Sequence, residues 1–86
     1  MKYFAALLEM IDPVKNQELR PQHLEYLEQK KKEGKLFARG PFADGSGGLV
    51  IYKAETYEEA KKLAEEDPYV KQGVRKLILR EWNMSQ

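Results

Sequence analysis

Residues 2–10, KYFAALLEM, are apolar on both alternating faces, with Tyr3, Ala5 and Leu7 on one and Phe4, Ala6, Leu8 and Met10 on the other. Alternation without a polar face predicts a central strand covered on both sides. Asp12-Pro13 ends that strand, and a polar connection leads to a first helix with Pro21 near its first turn and Gly34 as a left-handed stop. KLFARGPF, residues 35–42, reads as a second strand, and its Gly40-Pro41 marks an edge or a bulge because proline cannot donate to a central ladder. ADGSGG, residues 43–48, is then a hairpin loop, and LVIYKA, residues 49–54, the returning strand.

Thr56 and Glu59 form an S/T-x-x-E capping box ahead of a second helix, YEEAKKLAEE, residues 57–66. Tyr57, Ala60, Leu63 and Ala64 make its narrow apolar stripe, while Glu58 with Lys62 and Lys61 with Glu65 are i,i+4 pairs on the wet side. DPYVKQG is a turn of its own, and VRKLILREW, residues 74–82, is the last strand, with Val74, Ile78 and Trp82 facing one way and Leu77 and Leu79 the other. The order β-α-β-β-α-β predicts an α+β, ferredoxin-like fold, an antiparallel sheet with two helices on one face. Two helices cover one face of a sheet that is apolar on both, so the second face calls for a partner. A two-fold homodimer pairing two sheets face to face is the economical solution.

Length and composition narrow this picture. Eighty-six residues suffice for one domain, spanning residues 1–86, and 42% hydrophobic against 34% charged residues place the chain among folded rather than disordered sequences. A formal net charge of +1 lacks the electrostatic footprint of a dedicated nucleic-acid or membrane-surface binder. Cysteine is absent, which removes disulfides, thiolate nucleophiles and sulfur-ligated metals, and fits a reducing, cytoplasmic compartment. The apolar N-terminal run is short, carries Glu9 and has no cleavage site, so it reads as a core strand and not a signal peptide. No stretch approaches the roughly 20 apolar residues of a membrane span.

The candidate chemistry centres on one residue. His23 is the only histidine, and at about 100° per residue it points the same way as Leu19 and Leu27, with Arg20 and Tyr26 at its shoulders. A titratable ring on an inward helical face is either a structural histidine bonded to a backbone carbonyl or a functional one oriented by a carboxylate. Three carboxylates are candidates. Asp67 precedes Pro68, as the N-cap of a short helical turn does; Asp44 lies in an Asp-Gly hairpin turn; Glu9 sits on the Tyr3 face near the end of the first strand. GPFADGSGG has no lysine after its last glycine and leads into a strand, so it is no phosphate loop. Lys30, Lys31 and Lys32 are split around a helix as a solvated surface. The third strand offers Tyr52 alone where an RNA-binding RRM sheet presents two or three stacking aromatics, and a single histidine without clustered carboxylates is too few ligands for a metal.

RPQHLEYLEQKKKEGKLFARGPF, a glycine-containing hairpin and YEEAKKLAEEDPYVKQGV together resemble the YciI-like (YCII-related) family of small bacterial and archaeal proteins over essentially the whole chain. R-P-x-H-L at residues 20–24, G-P at 40–41 and D-P-Y-V-x-x-G-V at 67–74 carry the resemblance. It implies a dimeric α/β barrel-type assembly of a kind suspected to be enzymatic, with His23 and Asp67 as the catalytic pair and Arg20 beside them; physically, Arg20 is placed to bind an anionic substrate oxygen, and nothing in the sequence supports a cofactor or a metal. The hairpin is shorter than in many relatives, so no ligand contact by Asp44 or Ser46 is carried over.

The chemistry open to such a site is proton transfer with elimination, isomerisation or dehydrohalogenation on a small cyclic or carboxylated metabolite. The alternative is a non-catalytic dimeric module that binds a metabolite or supports another protein, with the His-Asp pair as a structural hydrogen bond. A cleft with Arg20 and His23 at its floor distinguishes the two: open for an enzyme, sealed for a structural pair. A histidine kept for chemistry contributes little to packing, so its truncation is expected to spare the fold.

Overall fold

Strands and helices follow in the order β1 (Lys2–Met10), α1 (Pro13–Lys32), β2 (Leu36–Pro41), β3 (Gly47–Ala54), α2 (Tyr57–Glu65), α3 (Pro68–Lys71) and β4 (Arg75–Trp82) in a computed structural model that describes residues 1–85. The strands lie side by side as β2-β3-β1-β4, every neighbour antiparallel. This is the ferredoxin-like α+β order, and β1, apolar on both faces, takes a central place in it. Phe4 sits opposite Tyr52, Ala6 opposite Val50 and Leu79, and Leu8 opposite Gly48 and Leu77. Leu27 of α1 and Ala60, Leu63 and Ala64 of α2 close the core over that face.

The first helix starts a full two turns earlier than its pattern suggests. Asp12-Pro13 is its beginning and not merely the end of β1: Lys15 N–H donates to the Asp12 carboxylate at 3.1 Å and Pro13 occupies the first turn, where its missing N–H costs nothing. Pro21, expected near the first turn, lies inside the helix. The cause of the misplacement is the sequence VKNQELR, which has almost no apolar stripe to show a helical period; of the whole of α1 only His23 and Leu27 are buried. Its end matches expectation, with Gly34 at φ 76° in the left-handed region.

β2 is an edge strand, as Pro41 requires. Its irregularity lies not at Gly40-Pro41 but between Leu36, opposite Tyr52, and Ala38, opposite Ile51. The extra residue reverses the parity of the strand. Leu36 faces the helices, Phe37 packs edge-to-face on Tyr3 of the other face at 5.0 Å, and Arg39, opposite Val50, returns to the helix side.

β3 begins inside the glycine-rich loop, at Gly47. Gly47 has φ 147°, and a Cβ there would be driven into the carbonyl oxygen of Leu8 in β1. Gly47→Ala is therefore expected to force the β1–β3 ladder apart at its end. The expected cost is about 1–3 kcal/mol, which lowers the Tm of a chain this size by roughly 5–20 °C in a thermal melt.

On the face away from the helices lie Tyr3, Ala5, Leu7, Ile51, Ile78 and Trp82. Phe37 and Trp82 are 43% and 42% exposed there. Val74 does not join them. It precedes β4, is fully buried, and its carbonyl accepts the N–H groups of Ile11 and Asp12 at 3.0 and 3.2 Å, so strand alternation does not extend to it. Among the described residues no helix is long and apolar enough to cross a membrane.

Candidate functional site

α1 and α3 bring the site together. α1 turns His23 and Leu27 inward, with Arg20 one turn before the histidine. α3 is a single turn whose N-cap is Asp67 and whose first position is Pro68, so the carboxylate is fixed by the cap it makes: Tyr69 N–H donates to Asp67 Oδ1 at 2.9 Å. The same oxygen accepts the Nδ1–H of His23 at 2.8 Å. Asp67 is fully buried and His23 is 8% exposed.

Because an ionised carboxylate can only accept, this bond assigns the ring proton to Nδ1 and leaves the lone pair of neutral histidine on Nε2. Among the described residues Nε2 makes no hydrogen bond, and it is not one of their sealed, unpaired polar atoms, which are Asp67 Oδ2 and the Tyr52 hydroxyl. Burial pushes the Tyr52 phenol far up, and the nearby Asp67 charge adds to it. Tyr26 is raised in the same way, by burial first and then by Glu66, Asp67 and Glu33, and its hydroxyl donates to the Leu63 carbonyl at 2.6 Å. Both phenols therefore stay neutral, and the negative charge next to the imidazole belongs to Asp67.

Aromatic stacking fixes the plane of the ring. Tyr69 lies against His23 with ring centres 3.9 Å apart and planes 17° from parallel. The Arg75 guanidinium sits 4.4 Å from the centre of the Tyr69 ring, and its Nε–H donates to Asn16 Oδ1 at 2.9 Å. Burial pushes the Tyr69 phenol up against the opposing pull of Arg75 and Arg20, and burial lowers the Arg75 pKa from its ordinary value.

Above this stack a cleft of about 450 Å³, measured out to its mouth, opens between α1, the β2–β3 hairpin and the start of β4. His23 and Arg20 line it, together with Tyr69, Arg39, Arg75 and Gly48. A free Nε2 on an oriented imidazole, facing a cleft with guanidinium groups on its walls, is equipped to take a proton from a small bound molecule and to hold the resulting anion.

Of the three carboxylates open to His23, the geometry selects Asp67. Asp44 is exposed at the hairpin tip, where the Ser46 N–H donates to it at 2.9 Å, and hydrogen bonds from Ser46 hold its carboxyl below the usual range. Glu9 is exposed opposite Lys76 on the other face of the sheet, so the sheet itself lies between it and the histidine. Tyr69, Arg39 and Arg75 carry no site assignment from the sequence. Tyr69 has a local signal in Asp-Pro-Tyr, since the residue two after an N-cap aspartate donates its N–H to it; the two arginines depend on register and have none. Among the described residues no group of three or more His, Asp or Glu side chains could hold a metal ion.

Comparison with known proteins gives a consistent picture. Residues 1–83 match the model of the YCII-related domain. The Bacillus subtilis (strain 168) protein YjpA is 34% identical over 82 residues, covering 95% of this chain and 96% of that protein. Protein YciI of Escherichia coli O6:H1 is 36% identical over 66 residues, 65% of this chain and 67% of its own length. Among solved structures, the 5-chloro-2-hydroxyhydroquinone dehydrochlorinase of Burkholderia phenoliruptrix AC1100, in complex with 2,5-dihydroxybenzoquinone, superposes with a TM-score of 0.81 at 24% identity, covering 96% of this chain and 95% of that one. At that identity the likeness is one of fold.

Proposed function

The chain belongs to the YCII-related domain family, and from that premise we propose that it is a small acid–base enzyme in which His23 Nε2 removes a proton from a small cyclic or carboxylated molecule. One observation carries the reading: a buried carboxylate holds Nδ1–H at 2.8 Å while the rest of the ring faces an open cleft beside Arg20. A sealed pair would have spoken for a purely structural hydrogen bond. Asp67 keeps the tautomer and balances the imidazolium formed on proton transfer, and Arg20 holds the developing oxyanion.

The reaction in this proposal is elimination. The proton goes to Nε2, the electron pair of the broken bond forms a new double bond, and a leaving group such as chloride departs, for a net loss of HCl from a chlorinated substrate. The structural neighbour's chemistry supplies the probe: chloride release from 5-chloro-2-hydroxyhydroquinone, alongside a panel of halogenated hydroxyquinols and small carboxylates. Turnover that depends on His23 supports the reading. Turnover indifferent to His23 overturns it, and a panel that binds but never reacts leaves the metabolite-binding module in its place.

The enzyme is proposed to work as a homodimer joined through the sheet face that its own helices leave bare. Phe37 and Trp82, more than two-fifths exposed on that face, are the groups a second copy would cover. Light scattering at micromolar concentration is expected to give twice the chain mass, and Trp82→Glu to shift it toward the monomer. A clean monomer for the native chain would sink this proposal.

A further inference from the structure

The cleft carries more positive charge than the dyad can use. Arg20 of α1, Arg39 of β2 and Arg75 of β4 all line it, and no aspartate or glutamate does. Asp67, the one carboxylate at its base, is fully buried and already accepts from His23 and from the Tyr69 backbone. Among the described residues none of the three arginines has a carboxylate within ion-pair distance. Arg20 and Arg39 are exposed and Arg75 is half-buried with the buried Asp67 as its nearby counter-charge, so the cleft presents three guanidinium groups to an anion that enters it.

The placement of two of these arginines rests on specific backbone features. Arg39 reaches the cleft only because of the bulge between Leu36 and Ala38; in a regular strand, Arg39, three residues after the inward-facing Leu36, would point to the other face of the sheet. Arg75 is held by the Tyr69 ring and by Asn16, and Gly48 makes room for it: a Cβ at that glycine would lie 3.3 Å from the Arg75 terminal nitrogen Nη1 and 2.9 Å from the Gly40 carbonyl oxygen. Held in this way, the Arg75 guanidinium lines the cleft.

We infer that the site takes a dianion, a flat molecule with two ionised oxygens, and that Arg39 and Arg75 are its binding residues together with Arg20. This rests on the acid–base reading for the role of His23 but not for the binding itself. One ionised oxygen lies toward Arg20 and His23, where proton transfer occurs, and the other is held by Arg39 and Arg75 from the sheet. Planar guanidinium forks suit carboxylate or enolate oxygens.

The test is equilibrium binding to a matched series in which the ring stays the same and the charge changes: 2,5-dihydroxybenzoquinone as the dianion, its monomethyl ether as the monoanion and its dimethyl ether as the neutral compound. Affinity is expected to rise about tenfold or more with each ionised oxygen and to weaken as salt is added. Arg39→Gln, on an exposed edge strand, and Arg75→Gln should each weaken the dianion by about tenfold or more while changing the neutral ether less than about twofold. Arg75→Lys keeps the charge without the ring contact and serves if Arg75→Gln melts early; it should retain part of the preference. A dimethyl ether that binds as tightly as the dianion, or a preference unchanged in both Arg39→Gln and Arg75→Gln, overturns the inference. Chloride release, measured separately, reports on the acid–base reading: arginine-dependent binding without turnover upholds the dianion site and removes the enzyme, and turnover without charge preference does the reverse.

Discussion

His23→Asn is expected to lower turnover by about 10²–10⁴-fold while leaving the thermal midpoint within a few degrees of the native protein. The asparagine amide nitrogen stands where Nδ1 stands in histidine, so its N–H can still donate to Asp67 Oδ1, but it offers no second nitrogen to accept a proton. The choice of asparagine over alanine follows from burial. A catalytic histidine is expected to be dispensable to the fold, yet this one is 8% exposed, stacked on Tyr69 and bonded to a carboxylate that has no solvent. His23→Ala would leave that carboxylate with the Tyr69 N–H as its one donor and open a gap beside the ring, at a cost of about 1–3 kcal/mol. Loss of turnover in His23→Ala alone would therefore say little, and the asparagine variant separates chemistry from stability. If His23→Asn folds and retains more than a tenth of native turnover, the histidine is structural.

Sequence patterning reached most of the fold and part of the site, and the divide follows the range of the physical signals. β1, the hairpin and α2 declare themselves through alternation, glycine and the Thr56 cap, whose hydroxyl accepts the Glu59 N–H at 3.1 Å; all of these act over a few residues. The start of α1 was obscured although its signal is the same one that marks α3. Asp12-Pro13 and Asp67-Pro68 both cap helices. The second was legible because an apolar helix had just ended, whereas the first follows a strand and precedes a polar segment, so Asp-Pro there looks like a stop.

His23 was legible through helical period, whereas Asp67 and Arg20 were joined to it by the family resemblance that R-P-x-H-L and D-P-Y-V carry; cap geometry alone left three carboxylates open. Arg39 and Arg75 were not legible. Each lies on a strand whose facing depends on pairing: Arg75 sits opposite Met10, and Arg39 sits opposite Val50 only after the bulge at Phe37 has reversed the parity of β2. A single extra residue in an edge strand leaves no trace in local composition, yet it turns every later side chain to the other face.

Asp67→Ala and Asp67→Asn should part company sharply. Alanine removes the N-cap of α3 and strands the buried Nδ1–H of His23, two losses that together are expected to cost about 2–4 kcal/mol. Asparagine is different because one oxygen, Oδ1, receives both donors, the Tyr69 N–H at 2.9 Å and His23 Nδ1–H at 2.8 Å. The amide oxygen of asparagine can take over both bonds, with its NH₂ turned toward the place of Oδ2, which has no partner among the described residues. Asparagine is also a good N-cap, so the fold should hold to within about 1 kcal/mol. The ring should keep its Nδ1–H tautomer, which ¹⁵N shifts of the His23 imidazole would report. What asparagine cannot supply is the negative charge that balances an imidazolium, and turnover is expected to fall by about 10–10²-fold with the tautomer unchanged. A native rate in Asp67→Asn would make Asp67 a cap and an orienting acceptor only. A shift of the proton to Nε2 would mean that the carboxylate charge, and not the geometry of Oδ1, selects the tautomer.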